Sequence, residues 1–277
     1  MLSIPAMSSG RWIALLAVAG LIGLETLASW LGKRGDYDRR ETIDTLVVAI
    51  GGRLIATATA GLAALPLVWV YQHRLLDFPV ASLRSLAALF LGVELCYYWH
   101  HRAMHRVNCL WATHVVHHSS TRLNLSAALR LGWGGALAGG SLFYLPLAWL
   151  GFHPLAILAT LGAGLAYQFF LHVARPPRLG PLEWLLNSPI HHHVHHAAND
   201  ACLDKNFGGV LLVFDRAFGT FAEPPDREDL RFGVKEMNGL AGHPIDIALM
   251  GWRGLIRSLR AAPTWHDRWR VCFGRPA

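Results

Sequence analysis

Long apolar runs separated by short polar loops set the organisation of this chain. Five of them approach the ~20 residues that a helix needs to cross a bilayer: about residues 12–31, 45–71, 83–99, 133–150 and 154–172. The pattern predicts an all-α integral membrane protein with about five transmembrane helices. The first run has the look of a signal peptide. Only Arg11 is basic at its start, however, and no clean small-residue cleavage site follows, so we expect a retained anchor. The short turn Gly151-Phe152-His153-Pro154 makes the fourth and fifth runs a helical hairpin. Gly135 and Gly139 on one, and Gly162 and Gly164 on the other, suit close packing of membrane helices. Beyond His196 the chain turns polar. Residues 245–260 alternate apolar and basic positions at helical spacing. That fits either an interfacial helix or an amphipathic helix packed on a cytosolic cap.

Composition supports the membrane reading. The chain is 53% hydrophobic and 16% charged, against roughly 25% charged in soluble domains. A net charge of +7 in a soluble chain would suggest nucleic acid. Here the basic residues sit between and after apolar runs, so the positive-inside rule accounts for them, and no nucleic acid partner is expected. Cys96, Cys109, Cys202 and Cys272 form no C-x-x-C pair and are read as free thiols.

The distinctive chemistry is histidine, with sixteen in the chain. His101 and His105 stand at i, i+4. His114, His117 and His118 stand at i, i+3, i+4, and His192, His195 and His196 repeat that spacing. Each set falls on one helix face. His172 closes the fifth apolar run, with Gln168 one turn earlier on its face. Nine imidazoles exceed the four ligands of a tetrahedral zinc. They suit two metal ions that keep open positions. Imidazole by itself accepts iron, zinc, copper or nickel.

Metal-bound histidines usually hand their outer N–H to a carboxylate or carbonyl. Glu94 lies two turns before His101, and a carboxylate in an apolar helix is costly without a partner. Glu183, Asp204, Asn206, Asp215 and His191 are further candidates for that outer layer. His100 and His193 are expected to point away, and His73, His153, His243 and His266 to be isolated polar residues.

Counting crossings places the metal-binding candidates together. The third run delivers the chain to His101–His118, and the hairpin crosses and returns it to His172 and His192–His196. All therefore emerge on one face, along with the loop Lys33–Arg40. Its basic residues, with Arg102, Arg106, Arg122, Arg130, Arg175 and Arg178, mark that face as cytoplasmic. A histidine-rich helical cap on the cytosolic side of a bacterial inner membrane, or its equivalent, is the expected arrangement.

The motifs around these histidines resemble the fatty acid hydroxylase/sterol desaturase superfamily. Glu94-Leu95-Cys96-Tyr97-Tyr98-Trp99-His100-His101-Arg102-Ala103-Met104-His105 is similar to its first histidine box. His114-Val115-Val116-His117-His118-Ser119-Ser120 is similar to its second, and Asn187-Ser188-Pro189-Ile190-His191-His192-His193-Val194-His195-His196 to its last. The likeness covers about residues 85–225. It implies a di-iron centre held by His101, His105, His114, His117, His118, His172, His192, His195 and His196, with O₂ as cosubstrate. It implies hydroxylation or desaturation of a membrane lipid, whether fatty acyl, ether lipid or sterol. Some members carry a further ligand where this chain has Gln168, so water or Gln168 fills that position. His193 replaces an arginine common in the last box. No haem or flavin fingerprint is visible, so the electrons must come from a separate transfer protein or reductant. We divide the chain into N-terminal transmembrane helices (1–82), a catalytic domain (83–225) and a cytosolic or interfacial C-terminal tail (226–277). Oligomeric state is not legible.

Two rival readings remain open at this point. A zinc-dependent membrane hydrolase would call for H-E-x-x-H or a catalytic carboxylate pair, and neither motif is present. A non-enzymatic metal or haem membrane protein would place its histidine pairs inside the spans.

Overall fold

The computed structural model describes residues 9–79, 82–225, 230–234 and 243–276. The side chain of Arg11 and the first residues of the tail, 226–229, lie outside that set. The described chain is helical, and its β pairing is limited to two isolated bridges, Leu186 with Leu211 and Ala197 with Phe232. Among the described residues, three helices are long and apolar enough to cross a membrane. They are α1 (Ser9–Leu31), α2 (Arg39–Gln72) and α6 (Pro154–Leu171). α3 (Leu83–Arg106) is longer than α6, but its last two turns carry His100, His101, Arg102, His105 and Arg106.

Local sequence sets the helix ends. Asp38 caps α2 by accepting the Glu41 N–H at 2.9 Å. Pro154 opens α6 at a position where a missing N–H costs nothing, and Pro189 does the same for α7 (Pro189–His196). Leucines and tryptophans of α1 and α2 face outward; Leu16 is 70% exposed and Trp30 73%. Apolar faces of that extent match contact with lipid.

The fourth apolar run is not one continuous helix. It is two 3₁₀ stretches, Gly135–Ala138 and Gly140–Tyr144, followed by the short α5 (Leu145–Leu150). Gly134 and Gly139 break it with φ of +84° and +85°, a conformation that costs glycine little. These glycines serve the backbone turn as well as close packing. The run still travels the length of α2. Trp133 packs on Gly51 and Gly52 and donates its Nε1–H to the Val48 carbonyl, while the Trp149 carbonyl accepts the Leu75 N–H. From Val48 to Gln72 is about 36 Å of α-helix at 1.5 Å per residue. A 3₁₀ turn rises about 2.0 Å per residue, so the fourth run reaches farther along α2 than the same residues would as an α-helix.

Two apolar cores fix the architecture. Leu67, Leu89, Val93, Leu147, Phe152 and Ile157 join α2, α3, α5 and α6. Val48, Val115, Val116, Ile247, Ala248 and Met250 join α2, α4 (Asn108–His118) and α9 (Pro244–Ala261), which follows the short α8 (Val213–Ala217). α9 therefore packs on the histidine-bearing α4, as an ordinary amphipathic helix of the cap would. Gly251 permits the contact: a Cβ there would stand 2.1 Å from the Ala112 carbonyl oxygen. Gly251→Ala is expected to push α9 off α4 and cost about 1–3 kcal/mol, the range for overpacking. A detergent-phase melting curve unchanged by the substitution would contradict that contact.

Candidate metal centre

The C-terminal ends of α3 and α6 meet α4 and α7 at one end of the long helices, beside the α1–α2 loop. There the nine imidazoles singled out by their spacing fall into two groups. His101, His105, His114, His118 and His195 form the first; His117, His172, His192 and His196 form the second. Within each group the nearest ring nitrogens all lie within 4.8 Å of one another. All but His105, which is half-buried, are buried. Helical period explains the split inside α4: His114 and His118 share one face, and His117 is turned toward the second group.

Backbone carbonyls orient the rings. His101 Nδ1–H donates to Phe207 O at 2.8 Å, and His195 Nδ1–H to Lys205 O at 2.8 Å. His172 Nδ1–H donates to Gln168 O at 2.9 Å, and His117 Nδ1–H to Arg130 O at 3.3 Å. A carbonyl only accepts, so these Nδ1 atoms carry the proton and each Nε2 presents a lone pair inward. His101 Nε2 then lies 3.0 Å from His114 Nε2, and His172 Nε2 lies 3.3 Å from His117 Nε2 and 3.2 Å from His192 Nε2. Facing lone pairs repel; a cation between them turns the repulsion into coordination. Nitrogens about 2.0–2.1 Å from one ion stand about 2.8–3.4 Å apart at octahedral to tetrahedral angles. His105 Nε2 and His195 Nε2 are buried without a hydrogen-bond partner. The donor set thus fits two metal ions held by nitrogen alone. Burial favours the neutral, ligating form: it pushes His117 and His195 down to about 4, and His114, His118, His192 and His196 well below the usual histidine range.

The outer layer differs in detail from what the residue types suggest. Glu94 makes no hydrogen bond to an imidazole. It accepts the Val210 and Leu211 N–H groups at 2.8 Å each, pinning the loop that follows Phe207. Asp215 pins the same loop from the other side, accepting Phe207 N–H at 2.7 Å, Gly208 N–H at 2.8 Å and the Thr220 hydroxyl at 2.7 Å. Burial raises the Asp215 carboxyl pKa, and these three donors offset that rise only in part. Asp204 lies 3.9 Å from His105 Nδ1 and pairs with Arg106 at 2.9 Å. Asp204 and Asn206 adopt φ of +58° and +55°, a region these two residue types tolerate. The resulting turn aims the Lys205 and Phe207 carbonyls at His195 and His101. Asn206 also donates to the His191 carbonyl at 3.2 Å. His191 Nδ1 meets Ser188 Oγ at 2.9 Å, at the head of α7. Gln168 supplies its carbonyl to His172, while its side-chain Oε1 accepts the Tyr97 hydroxyl at 2.6 Å. Glu183 accepts the Leu179 N–H within its own turn, away from the rings.

Other histidines stay apart. His100 packs on Phe143 and Gly140, His153 caps α6, and His243 caps α9. His193 meets the Val173 carbonyl at 3.0 Å. Sequence reasoning passed over Glu25 and Glu41, and read Arg130 only as one of the basic residues that mark a membrane face. Arg130 is 1% exposed and donates to Ser119 Oγ and Thr45 Oγ1 at 2.8 and 3.1 Å. The signal for Glu25 was present: it is the single charged residue in Trp12–Leu31.

Comparison with known proteins bears on what such a centre does. The fatty acid hydroxylase family model matches residues 86–220. The chain is 36% identical over 224 residues to alkylglycerol monooxygenase of Xenopus tropicalis, covering 80% of this chain and 48% of that protein. It is 32% identical over 265 residues to the human alkylglycerol monooxygenase, covering 92% and 57%. An ornithine lipid hydroxylase of Rhizobium tropici is 32% identical over 142 residues, covering 51% and 43%. The chain spans about half the length of the curated relatives it matches. No solved structure matches.

Proposed function

We propose, from the premise that residues 86–220 match the fatty acid hydroxylase family model, that the protein is an integral membrane oxygenase of that family that hydroxylates a lipid. The reaction takes the form R–H + O₂ + 2e⁻ + 2H⁺ → R–OH + H₂O, with a separate reductant supplying the electrons. The observation that carries it is the convergence of nine imidazoles into two all-nitrogen groups at the end of the apolar helices. Two irons, when bound, supply the reduction of O₂ and the oxidation of an unreactive C–H bond.

The chain's own residues do the rest. His101, His105, His114, His118 and His195 hold one iron, and His117, His172, His192 and His196 the other. The carbonyls of Phe207, Lys205, Gln168 and Arg130 keep Nδ1 protonated, so every oriented ring offers Nε2 inward. Glu94 and Asp215 fix the loop behind the first group, and Trp111 and Phe207 wall His105 from water. Such fixed geometry matters, because a small displacement of the reacting carbon is costly. The apolar faces of α1, α2 and α6 admit a lipid tail from the bilayer. The basic loop Lys33–Arg40 lies at the same end as the imidazoles, which supports a cytoplasmic orientation for them. The named relatives act on alkylglycerol and ornithine lipid, so a glycerol ether lipid and an acylated amino-acid lipid are the first substrates to try.

The test is incubation of iron-loaded membranes with these lipids under ¹⁸O₂ and a reductant. One ¹⁸O in the lipid product is expected. Zinc-supported, O₂-independent conversion would instead establish a hydrolase, and a haem absorbance without turnover a non-enzymatic protein.

A further inference from the structure

Glu25 stands alone as a charge in the apolar run Trp12–Leu31. A carboxylate there is costly unless partnered, and this one has three donors. Its Oε1 accepts the Ala174 N–H at 2.8 Å. Its Oε2 accepts the Leu125 N–H at 2.9 Å and the Tyr37 hydroxyl at 2.5 Å. Ala174 follows His172 by two residues. Leu125 leads through the 3₁₀ turn Ala127–Leu129 to Arg130, whose carbonyl takes the His117 Nδ1–H. One side chain therefore fastens the backbone just beyond His172 and the segment leading to the carbonyl that orients His117.

The same N-terminal region reinforces that side. Glu41 accepts the Ser120 hydroxyl, the Thr121 N–H and the Thr121 hydroxyl at 2.7, 2.7 and 2.6 Å. The Asn124 amide donates to the Asp36 carbonyl at 3.0 Å. The first group is fastened differently, by the carbonyls of Lys205 and Phe207 and by Asp204, all within one turn of the family domain.

We propose that Glu25 is a positioning residue that makes the second metal site, and not the first, depend on the N-terminal helix α1. The inference rests on the two-metal reading above and adds to it an asymmetry: one site is completed from outside residues 86–220.

Glutamine at this position keeps the shape and replaces one acceptor oxygen by an NH₂ that must face a backbone N–H. Glu25→Gln therefore breaks the bridge at one end without leaving a void. Tyr37→Phe removes one donor and leaves both backbone bonds in place. The full chain, purified in detergent and loaded with iron, is titrated with a chelator while iron per protomer is followed by mass spectrometry. Wild type and Tyr37→Phe are expected to hold two irons. Glu25→Gln is expected to hold one at wild-type strength and the other about 10–100-fold more weakly, the usual cost of losing an outer partner. A general loss of fold would weaken both sites together, so the selectivity separates positioning from mere stability. Should Glu25→Gln fail to fold, Glu25→Asp keeps the charge on a shorter arm and is read by the same ratio of affinities. Both irons at wild-type strength in these variants, or both lost in parallel, would overturn the proposal. Fewer than two irons in the wild type would instead sink the two-metal reading, and this inference with it.

Discussion

Replacing His117 by alanine is expected to abolish lipid hydroxylation and release the iron of the second group. His117 faces its own group and the neighbouring one: its centroid lies 5.0 Å from that of His172, 4.6 Å from His196 and 5.4 Å from His114. Alanine removes an inward lone pair and leaves the Arg130 carbonyl without its donor. Losing a ligand should exceed the roughly 10–100-fold in affinity or activity that losing an outer partner costs. His243→Ala is the matched control. That residue stands at the head of α9, exposed and in neither group, and its loss should change neither metal content nor turnover. Wild-type turnover and two irons in the His117 variant would contradict the assignment; iron per protomer and ¹⁸O incorporation decide it.

Asp215→Ala is expected to have the largest effect on stability. The carboxylate is fully buried and meets two backbone N–H groups and a hydroxyl. Each buried donor left unmet costs about 1–3 kcal/mol, a large share of the about 5–15 kcal/mol that holds a typical domain together. The consequence is directional as well. The loop released is the one whose Phe207 carbonyl orients His101, so metal should leave the first group before the second. Asp215→Asn keeps one acceptor oxygen and should fall between. Melting temperature and iron per protomer together check the order; a variant matching wild type in both would show that this loop is held by other means.

Helical periodicity is what made the centre legible. Spacings of three and four residues dictate which imidazoles share a face, and a run of apolar residues dictates where His172 emerges. Those constraints are local, so they survive without coordinates. The path of residues 133–150 was not legible, because apolarity alone does not separate a regular α-helix from a stretched 3₁₀ ribbon broken at Gly134 and Gly139. Nor were the carbonyls of Lys205, Phe207 and Arg130, since every residue carries one and only the fold selects it. Glu94 was rightly suspected of having a partner, yet that partner is backbone more than 110 residues away. Glu25 reaches 100 and 149 residues along the chain, and no pattern of neighbours announces such bonds.

The attachment of Leu125 and Ala174 to a carboxylate on α1 has a consequence for transplantation. A graft of residues 86–220 into a foreign membrane scaffold would carry every imidazole and still arrive without the strut that braces the segments beside His117 and His172. The smallest portable unit therefore begins at the first helix, and chimeras between relatives should exchange that helix together with the histidine-bearing core.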